Sequence, residues 1–136
     1  MCTEQRKKKR FMIQVGTLLA ISDNSGAKKA KCIKILKKTK KNMGQVGDLI
    51  VVSLQETNPK NNTKTLKKGQ LFKAVLLETK RPKRRQDGTS YTFQRNSAAL
   101  LSAQGSPLGT RVQGTAPFEV REKNFMKLLV LASTTL

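Results

Sequence analysis

Short apolar runs separated by turn-forming clusters dominate this sequence and restrict the folds open to it. The run at residues 12–22 ends at Asp23-Asn24-Ser25-Gly26, and further apolar runs occupy residues 48–55, 71–79 and 97–102. Runs of this length that are rich in Val, Ile and Leu predict β-strands, and the clusters between them predict tight turns. Several short strands in succession favour a mainly β fold, a small β-barrel.

The segment after the first turn predicts a strand with a cationic face. Three lysines lead into the run at residues 32–36. Strict alternation within that run places Ile33 and Ile35 on one face and Lys34 on the other. Cys32, inside the same run, is interpreted as a small buried apolar residue.

A basic hairpin is predicted at residues 80–94. Asp87-Gly88 is a hairpin-turn signal, and it lies between a cluster of cations and the strand-like residues 90–94. Tyr91 and Phe93 are two residues apart, so they can form an outward stripe, and base stacking there is one interpretation.

The pattern becomes helical only after Pro117. Apolar residues then recur mostly at spacings of three and four: Phe118, Phe125, Met126, Leu129 and Val130. We expect one or two short helices near the C-terminus, with Phe118 and Phe125 in the core.

Positive charge is the strongest compositional feature. The 136 residues include 28 Lys or Arg and only 8 Asp or Glu, a formal net charge of +20. That charge is segregated, because the first 41 residues carry 13 cations and 2 anions, whereas residues 114–136 carry 3 cations and 2 anions. Like charges at this density repel one another unless a polyanion neutralises them, so a nucleic acid is the expected partner.

Two groups of cations are the candidate RNA contacts. The first group is Lys28, Lys29, Lys31, Lys34, Lys37, Lys38, Lys40, Lys41, Lys80, Arg81, Lys83, Arg84, Arg85 and Arg111. The second forms a basic N-terminal arm and consists of Arg6, Lys7, Lys8, Lys9 and Arg10. Lysines outnumber arginines and aromatic residues are few, so we expect contacts to the backbone and shape of folded RNA rather than to base sequence.

The composition removes most enzyme classes. Histidine is absent from the sequence, which excludes catalytic triads, Cys–His nucleophiles and imidazole-ligated zinc. The two cysteines have neither a metal-binding nor a disulfide spacing, and no Walker-type phosphate loop is present. Asp23 is interpreted as a turn residue rather than a catalytic acid, because no second convergent acid accompanies it. We therefore expect no catalysis, no metal, no cofactor and no membrane span.

Eight segments, in order and approximate spacing, resemble the universal large-subunit ribosomal protein L-fourteen family, in its bacterial or organellar form. They are Met12-Ile13-Gln14, Ser22-Asp23-Asn24-Ser25-Gly26-Ala27-Lys28, Cys32-Ile33-Lys34-Ile35-Leu36, Val46-Gly47-Asp48, Lys73-Ala74-Val75, Arg84-Arg85-Gln86-Asp87-Gly88, Gly109-Thr110-Arg111-Val112 and Asn124-Phe125-Met126-Lys127-Leu128. The chain departs from the family pattern in an N-terminal extension, a longer connection near residues 58–66 and Ala132-Ser133 in place of Ala-Pro.

This resemblance implies a five-stranded β-barrel with a protruding β-ribbon and a short helical C-terminal region. It also implies contacts with large-subunit rRNA near the sarcin–ricin loop, bridges to small-subunit rRNA and a neighbouring protein of the L-nineteen type. In bacteria and organelles the family also receives a ribosome-silencing factor.

The expected protein is a structural constituent of the large ribosomal subunit that binds rRNA and contributes to the intersubunit interface during translation. We expect a basic arm at residues 1–11 and one domain at residues 12–136, helical from about residue 117. A free oligonucleotide-binding-type barrel acting as an RNA chaperone is the alternative, and an RNA-modifying enzyme is a third. The preference for lysine favours a mitochondrial ribosome, with a plastid or the bacterial cytoplasm as the other compartments.

Overall fold

This computed structural model describes residues 13–36, 43–58 and 66–136. These ranges contain nine strands and two short helices. In chain order they are β1 Leu18–Ile21, β2 Ala27–Ile35, β3 Leu49–Thr57, β4 Leu71–Glu78, β5 Lys83–Arg84, β6 Ser90–Tyr91, β7 Ser97–Leu101, β8 Val112–Ala116, α1 Glu119–Glu122, α2 Met126–Leu131 and β9 Ala132–Thr135.

Five strands form a closed barrel in the order β1-β2-β3-β4-β7, which confirms the expected five-stranded β-barrel. Neighbouring strands are antiparallel except β1 and β7, which pair in parallel and close the barrel. Its interior holds a tightly buried cluster that includes Leu19, Ile50, Leu54, Leu76 and Leu100. The predicted hairpin is present as the separate ribbon β5-β6, and β8 and β9 form a second two-stranded sheet.

A second core lies outside the barrel, against β4 and β7. Val75 and Leu101 point outward from these strands and pack against Val112, Val120 and Leu128 of the C-terminal segment, residues 112–136. Strands buried on both faces need apolar residues at every position, which explains the unbroken apolar runs at residues 74–77 and 98–101. Because β2 pairs only with β1 and β3, it lies across the barrel from the C-terminal segment.

The first predicted strand is much shorter than expected. Residues 12–22 were one apolar run, but the strand covers only Leu18–Ile21. Gly16 has φ +92°, a conformation that favours glycine, and its N–H donates to the carbonyl oxygen of Cys32 at 2.7 Å. The chain therefore turns at residues 15–16 before β1 begins.

Alternation in β2 is interrupted, so the prediction that Ile33 shares a face with Ile35 is wrong. Cys32 pairs with Val52, but Lys34 pairs with Val51, which leaves Ile33 as an extra residue in a β-bulge. Ile33 is 42% exposed, Lys34 also points outward, and Ile35 returns to the barrel core. Cys32 is buried as predicted, and burial raises the pKa of its thiol.

The two C-terminal helices confirm the expected helical region, but the flanking strands β8 and β9 were not predicted. They pair in parallel across the helices. Phe125 packs against the second core as predicted. The core position expected for Phe118 is wrong, because this residue precedes α1 and its side chain is 50% exposed.

Candidate nucleic-acid interface

The outer face of β2 carries four exposed lysines. They are Lys28, Lys29, Lys31 and Lys34. A regular strand would turn alternate residues inward, but Ala27 pairs with Thr57 and Lys29 with Glu56, so Lys28 is the extra residue of a second bulge. The two bulges therefore direct all four lysines outward, while Ala30 and Cys32 fill the barrel.

The hairpin, residues 80–94, carries the other described cluster of cations. Its turn is fixed by Asp87, whose carboxylate accepts hydrogen bonds from the backbone N–H of Thr89 at 3.0 Å and from its hydroxyl. These hydrogen bonds hold the pKa of Asp87 below its ordinary value. Gly88 supplies the positive φ of +88° that the turn requires. Lys80, Arg81 and Arg84 are exposed on this hairpin, and Lys83 is half-buried.

Arg85 differs from the other hairpin cations because it contacts the C-terminal segment. Its Nε donates to Glu119 Oε1 at 3.0 Å, and its Nη2 donates to the carbonyl oxygen of Leu136 at 2.8 Å. Its guanidinium also lies 4.7 Å from the ring centroid of Tyr91, whose hydroxyl donates to Glu119 at 2.7 Å. We call Arg85, Tyr91 and Glu119 the hairpin clasp.

The clasp sets the ionisation of its members. Burial alone would raise the pKa of Glu119, but hydrogen bonds from Arg85 and Tyr91 outweigh it and hold the pKa below its ordinary value of 4.5. Burial raises the pKa of Tyr91, and the hydrogen bond to Glu119 raises it further. At neutral pH the clasp is therefore an ion pair bridged by a neutral phenol.

The clasp predicts an acid-sensitive contribution to stability. Because the folded pKa of Glu119 is lowered, its stabilising effect is present above 4.5 and is lost as the pH falls through the folded value. In urea unfolding across this pH range, Glu119→Gln should show a smaller acid-induced fall in unfolding free energy than the unmodified chain. Glu122→Gln, on the exposed side of α1, is the control and should retain the full fall.

Comparison with known families decides the identity of this basic barrel. A family model described as Ribosomal protein L14p/L23e matches residues 12–136. The chain belongs to this family. It is therefore a structural protein of the large ribosomal subunit, and the resemblance seen in the sequence is confirmed.

Two of the L14p/L23e-like segments, more than 80 residues apart in sequence, meet at Asn24. Its Oδ1 accepts hydrogen bonds from the N–H groups of Thr110 at 2.8 Å and Arg111 at 3.1 Å, and its Nδ2 donates to the Thr110 hydroxyl. A Cβ at Gly109 would lie 2.8 Å from Asn24 Oδ1, so a larger residue at this position would displace the Asn24 side chain. Asn24 thus positions Arg111, which is exposed.

Replacing Asn24 by Ala should loosen the Arg111 loop without unfolding the barrel. We expect a loss of about 1 kcal/mol in unfolding free energy, because these hydrogen bonds are exposed, and faster amide hydrogen exchange at Thr110 and Arg111. Asn24→Asp keeps the acceptor oxygen and should preserve exchange protection. Equal protection of both amides in Asn24→Ala would contradict this role.

The predicted Asp23 turn is confirmed, and Asp23 acts within it as a structural acceptor. Its carboxylate accepts hydrogen bonds from Ser25 and from the backbone N–H of Leu100 at 3.0 Å. Burial raises the pKa of Asp23 despite these hydrogen bonds. The residue therefore ties the β1–β2 turn to β7.

Two cations with defined positions were missed in the sequence. Arg95 pairs with buried Glu78 at 2.7 Å and donates to the carbonyl oxygen of Gln113 at 3.2 Å, so it connects the barrel to β8. Lys73 is exposed on β4 and pairs in register with Val51. Lys73 lies between Phe72 and Ala74, whose side chains point inward. This alternation in the sequence could have predicted that Lys73 points outward.

Several predicted contacts lie outside the described residues. They are Lys37, Lys38, Lys40 and Lys41 of the loop after β2 and Arg6, Lys7, Lys8, Lys9 and Arg10 of the arm. Within residues 13–36, 43–58 and 66–136, no three His, Cys, Asp or Glu side chains are grouped so that they could hold a metal ion. No helix in those ranges is long and apolar enough to cross a membrane.

Proposed function

We propose that this L14p/L23e family protein binds large-subunit rRNA through its basic surface and contributes to the intersubunit interface during translation, without catalysing a reaction. The observation that carries the proposal is the separation of charge in the fold. The nearly neutral C-terminal segment covers β7 and the outward residues Val75 and Leu77 of β4, while the exposed lysines of β2 lie on the opposite side of the barrel.

Lysines suit contacts with the phosphate backbone. A lysine ammonium is a compact point charge on a flexible stem, so it tracks phosphates without the planar geometry needed to read a base edge. Each neutralised phosphate releases condensed counterions, which makes such binding strongly salt-dependent.

Sedimentation of cell extracts at physiological and moderately raised salt tests this function against the free RNA chaperone. A ribosomal component co-migrates with large subunits and remains there after moderate salt. A chain found mainly in light fractions at physiological salt would support the chaperone and contradict the proposal.

The hairpin is proposed to contact small-subunit rRNA at the intersubunit interface. Because Arg85 is engaged in the clasp, the exposed Arg81 and Arg84 are the better test residues. Reversing both to Glu should impair joining of the two subunits while leaving the melting temperature nearly unchanged. A collapse of the melting temperature with normal joining of the folded fraction would refute this assignment.

The remaining assignments extend the same proposal. The neighbours are an L-nineteen-type ribosomal protein and, in some states, a ribosome-silencing factor, and the particle is mitochondrial. The arm at residues 6–10 is proposed to grip a nearby rRNA segment. Deletion of the arm should then lower the salt resistance of incorporation, and unchanged incorporation and salt resistance would refute its role.

A further inference from the structure

The outer surface of β1 to β4 carries two rows of aligned side chains. In the first row, Leu18 pairs with Lys31, Lys31 with Ser53, and Ser53 with Leu71. Residues paired across neighbouring strands project from the same face of a sheet, so this row crosses all four strands. Its two ends are aliphatic and open to solvent, since Leu18 is 60% and Leu71 is 63% exposed.

The second row lies beside the first and is cationic at both ends. Lys34 pairs with Val51, and Val51 pairs with Lys73. The bulge at Ile33 brings Lys34 to this face. We call the seven residues of the two rows the barrel face.

The barrel face has a charge and a width that a nucleic acid fits. It carries three lysines and no carboxylate, and the nearby carboxylate of Glu56 is paired with Lys29 at 3.1 Å. Three strand spacings give the first row a width of about 14 Å. A groove of about 380 Å³ borders the face where Leu71 and Lys73 meet the loop after β7.

The chemistry of the face favours a double helix over a single strand. Single-strand binders stack bases on exposed aromatic rings, but the two rows contain none, and neighbouring Phe72 packs against the barrel core. The minor groove of double-helical RNA is wide and shallow and displays riboses and 2′-hydroxyls between two lines of phosphates. Aliphatic side chains suit the riboses, the Ser53 hydroxyl suits a 2′-hydroxyl, and the lysines suit the phosphates.

We propose that the barrel face docks on the minor groove of double-helical RNA, with Leu18 and Leu71 against riboses and Lys31, Lys34 and Lys73 on the flanking phosphates. This inference rests on the proposed rRNA binding and adds the form of RNA and the residues that recognise it. It gives the bulge at Ile33 a role, since an unbroken alternation from Cys32 would turn Lys34 into the barrel.

Binding of the full chain to three probes tests the inference by fluorescence anisotropy. The probes are an RNA duplex of about 16 base pairs, which is the span of a double-stranded RNA-binding domain, a DNA duplex of the same sequence and a single-stranded RNA of the same length. The face variant is Leu18→Gln with Leu71→Gln, which keeps the charge. The matched control is Met126→Gln with Val130→Gln, two exposed apolar residues of α2 on the C-terminal segment.

The face variant should bind the RNA duplex about tenfold more weakly because apolar contact is lost, whereas the control should stay within about twofold of the unmodified chain. Ser53→Ala should narrow the preference for the RNA duplex over the DNA duplex. Lys73→Gln should reduce the salt slope by about 1, and Lys127→Gln on α2 should not.

Two outcomes would overturn the inference while leaving rRNA binding intact. They are unchanged duplex affinity in the face variant and single-stranded RNA bound as tightly as the duplex. If the first outcome were accompanied by failed incorporation of the face variant into subunits, it would indicate a protein partner at this face. Failure of the unmodified chain to bind any RNA at low salt would contradict the proposed function itself.

Discussion

Replacing Glu78 by Ala should lower the unfolding free energy by about 3 kcal/mol, because it removes a buried acceptor that three donors share and leaves the buried Ser97 hydroxyl without that partner. Glu78 is 5% exposed, and its carboxylate accepts hydrogen bonds from Arg95 Nε at 2.7 Å, the Ser97 hydroxyl at 3.0 Å and the Thr115 N–H at 3.1 Å. Arg95 and Ser97 lie together at the start of β7 and Thr115 lies in β8, so one side chain attaches β8 to the barrel. Urea denaturation measures the loss.

Two variants control for the change at Glu78. Glu78→Gln keeps acceptor oxygen and shape but loses the charge, so its loss of stability should be smaller than that of Glu78→Ala. Glu122→Ala removes an exposed carboxylate from α1 and should change the unfolding free energy by less than about 0.5 kcal/mol. Equal midpoints for Glu78→Ala and Glu122→Ala would show that Glu78 does not hold the C-terminal segment in place.

Neutralising the β2 lysines should produce the largest loss of RNA affinity. Lys28, Lys31 and Lys34 are exposed and no hydrogen bond or ion pair to their side chains is present among the described residues, whereas the Lys29 side chain pairs with Glu56. Changing the three to Gln should reduce the salt slope of rRNA-fragment binding by about 3, one for each lost phosphate contact. Filter binding over a salt series measures both slope and affinity.

A matched triple variant separates local contact from total charge. Lys67, Lys68 and Lys127 are exposed outside β2, in the turn before β4 and on α2. Changing them to Gln removes the same charge but should leave most of the salt slope of rRNA-fragment binding unchanged. If both triple variants lowered the slope equally, net charge rather than a defined surface would govern binding.

Local sequence signals were sufficient to predict the barrel and its turns. Asp23 and Asp87 each accept hydrogen bonds within their own turns, so these turns depend on neighbouring residues. The apolar runs of β4 and β7 predicted strands correctly. Their second covered face was not evident, because an apolar run does not reveal what packs on each side of it.

Features that depend on distant pairing escaped prediction. Alternation gave Ile33 the wrong face because the bulge is defined by the register with β3. Likewise, β8 and β9 are short. Each forms a strand because it pairs with the other and because the C-terminal segment is attached to the barrel. The polar sequence of β8 and the Ser and Thr residues of β9 carry little apolar periodicity of their own.

The sequence likewise predicted some residues of the candidate site and not others. Cation clusters identified β2 and the hairpin as basic surfaces, and the exposure of Lys31 and Arg84 agrees with that. The cation clusters could not distinguish Arg85 from the other hairpin cations, because its partner Glu119 lies 34 residues further along the chain. Lys73 belongs to the barrel face only through its register with Val51. Sequence composition therefore predicts the kind of surface, and strand pairing determines its members.

A density map of the intact large subunit would test the central claim most directly. The account predicts rRNA phosphates within hydrogen-bonding distance of Lys31 and Lys34 on the outer face of β2, with the C-terminal segment turned away from that RNA. A map in which this face is open to solvent while the C-terminal segment contacts the rRNA would contradict it.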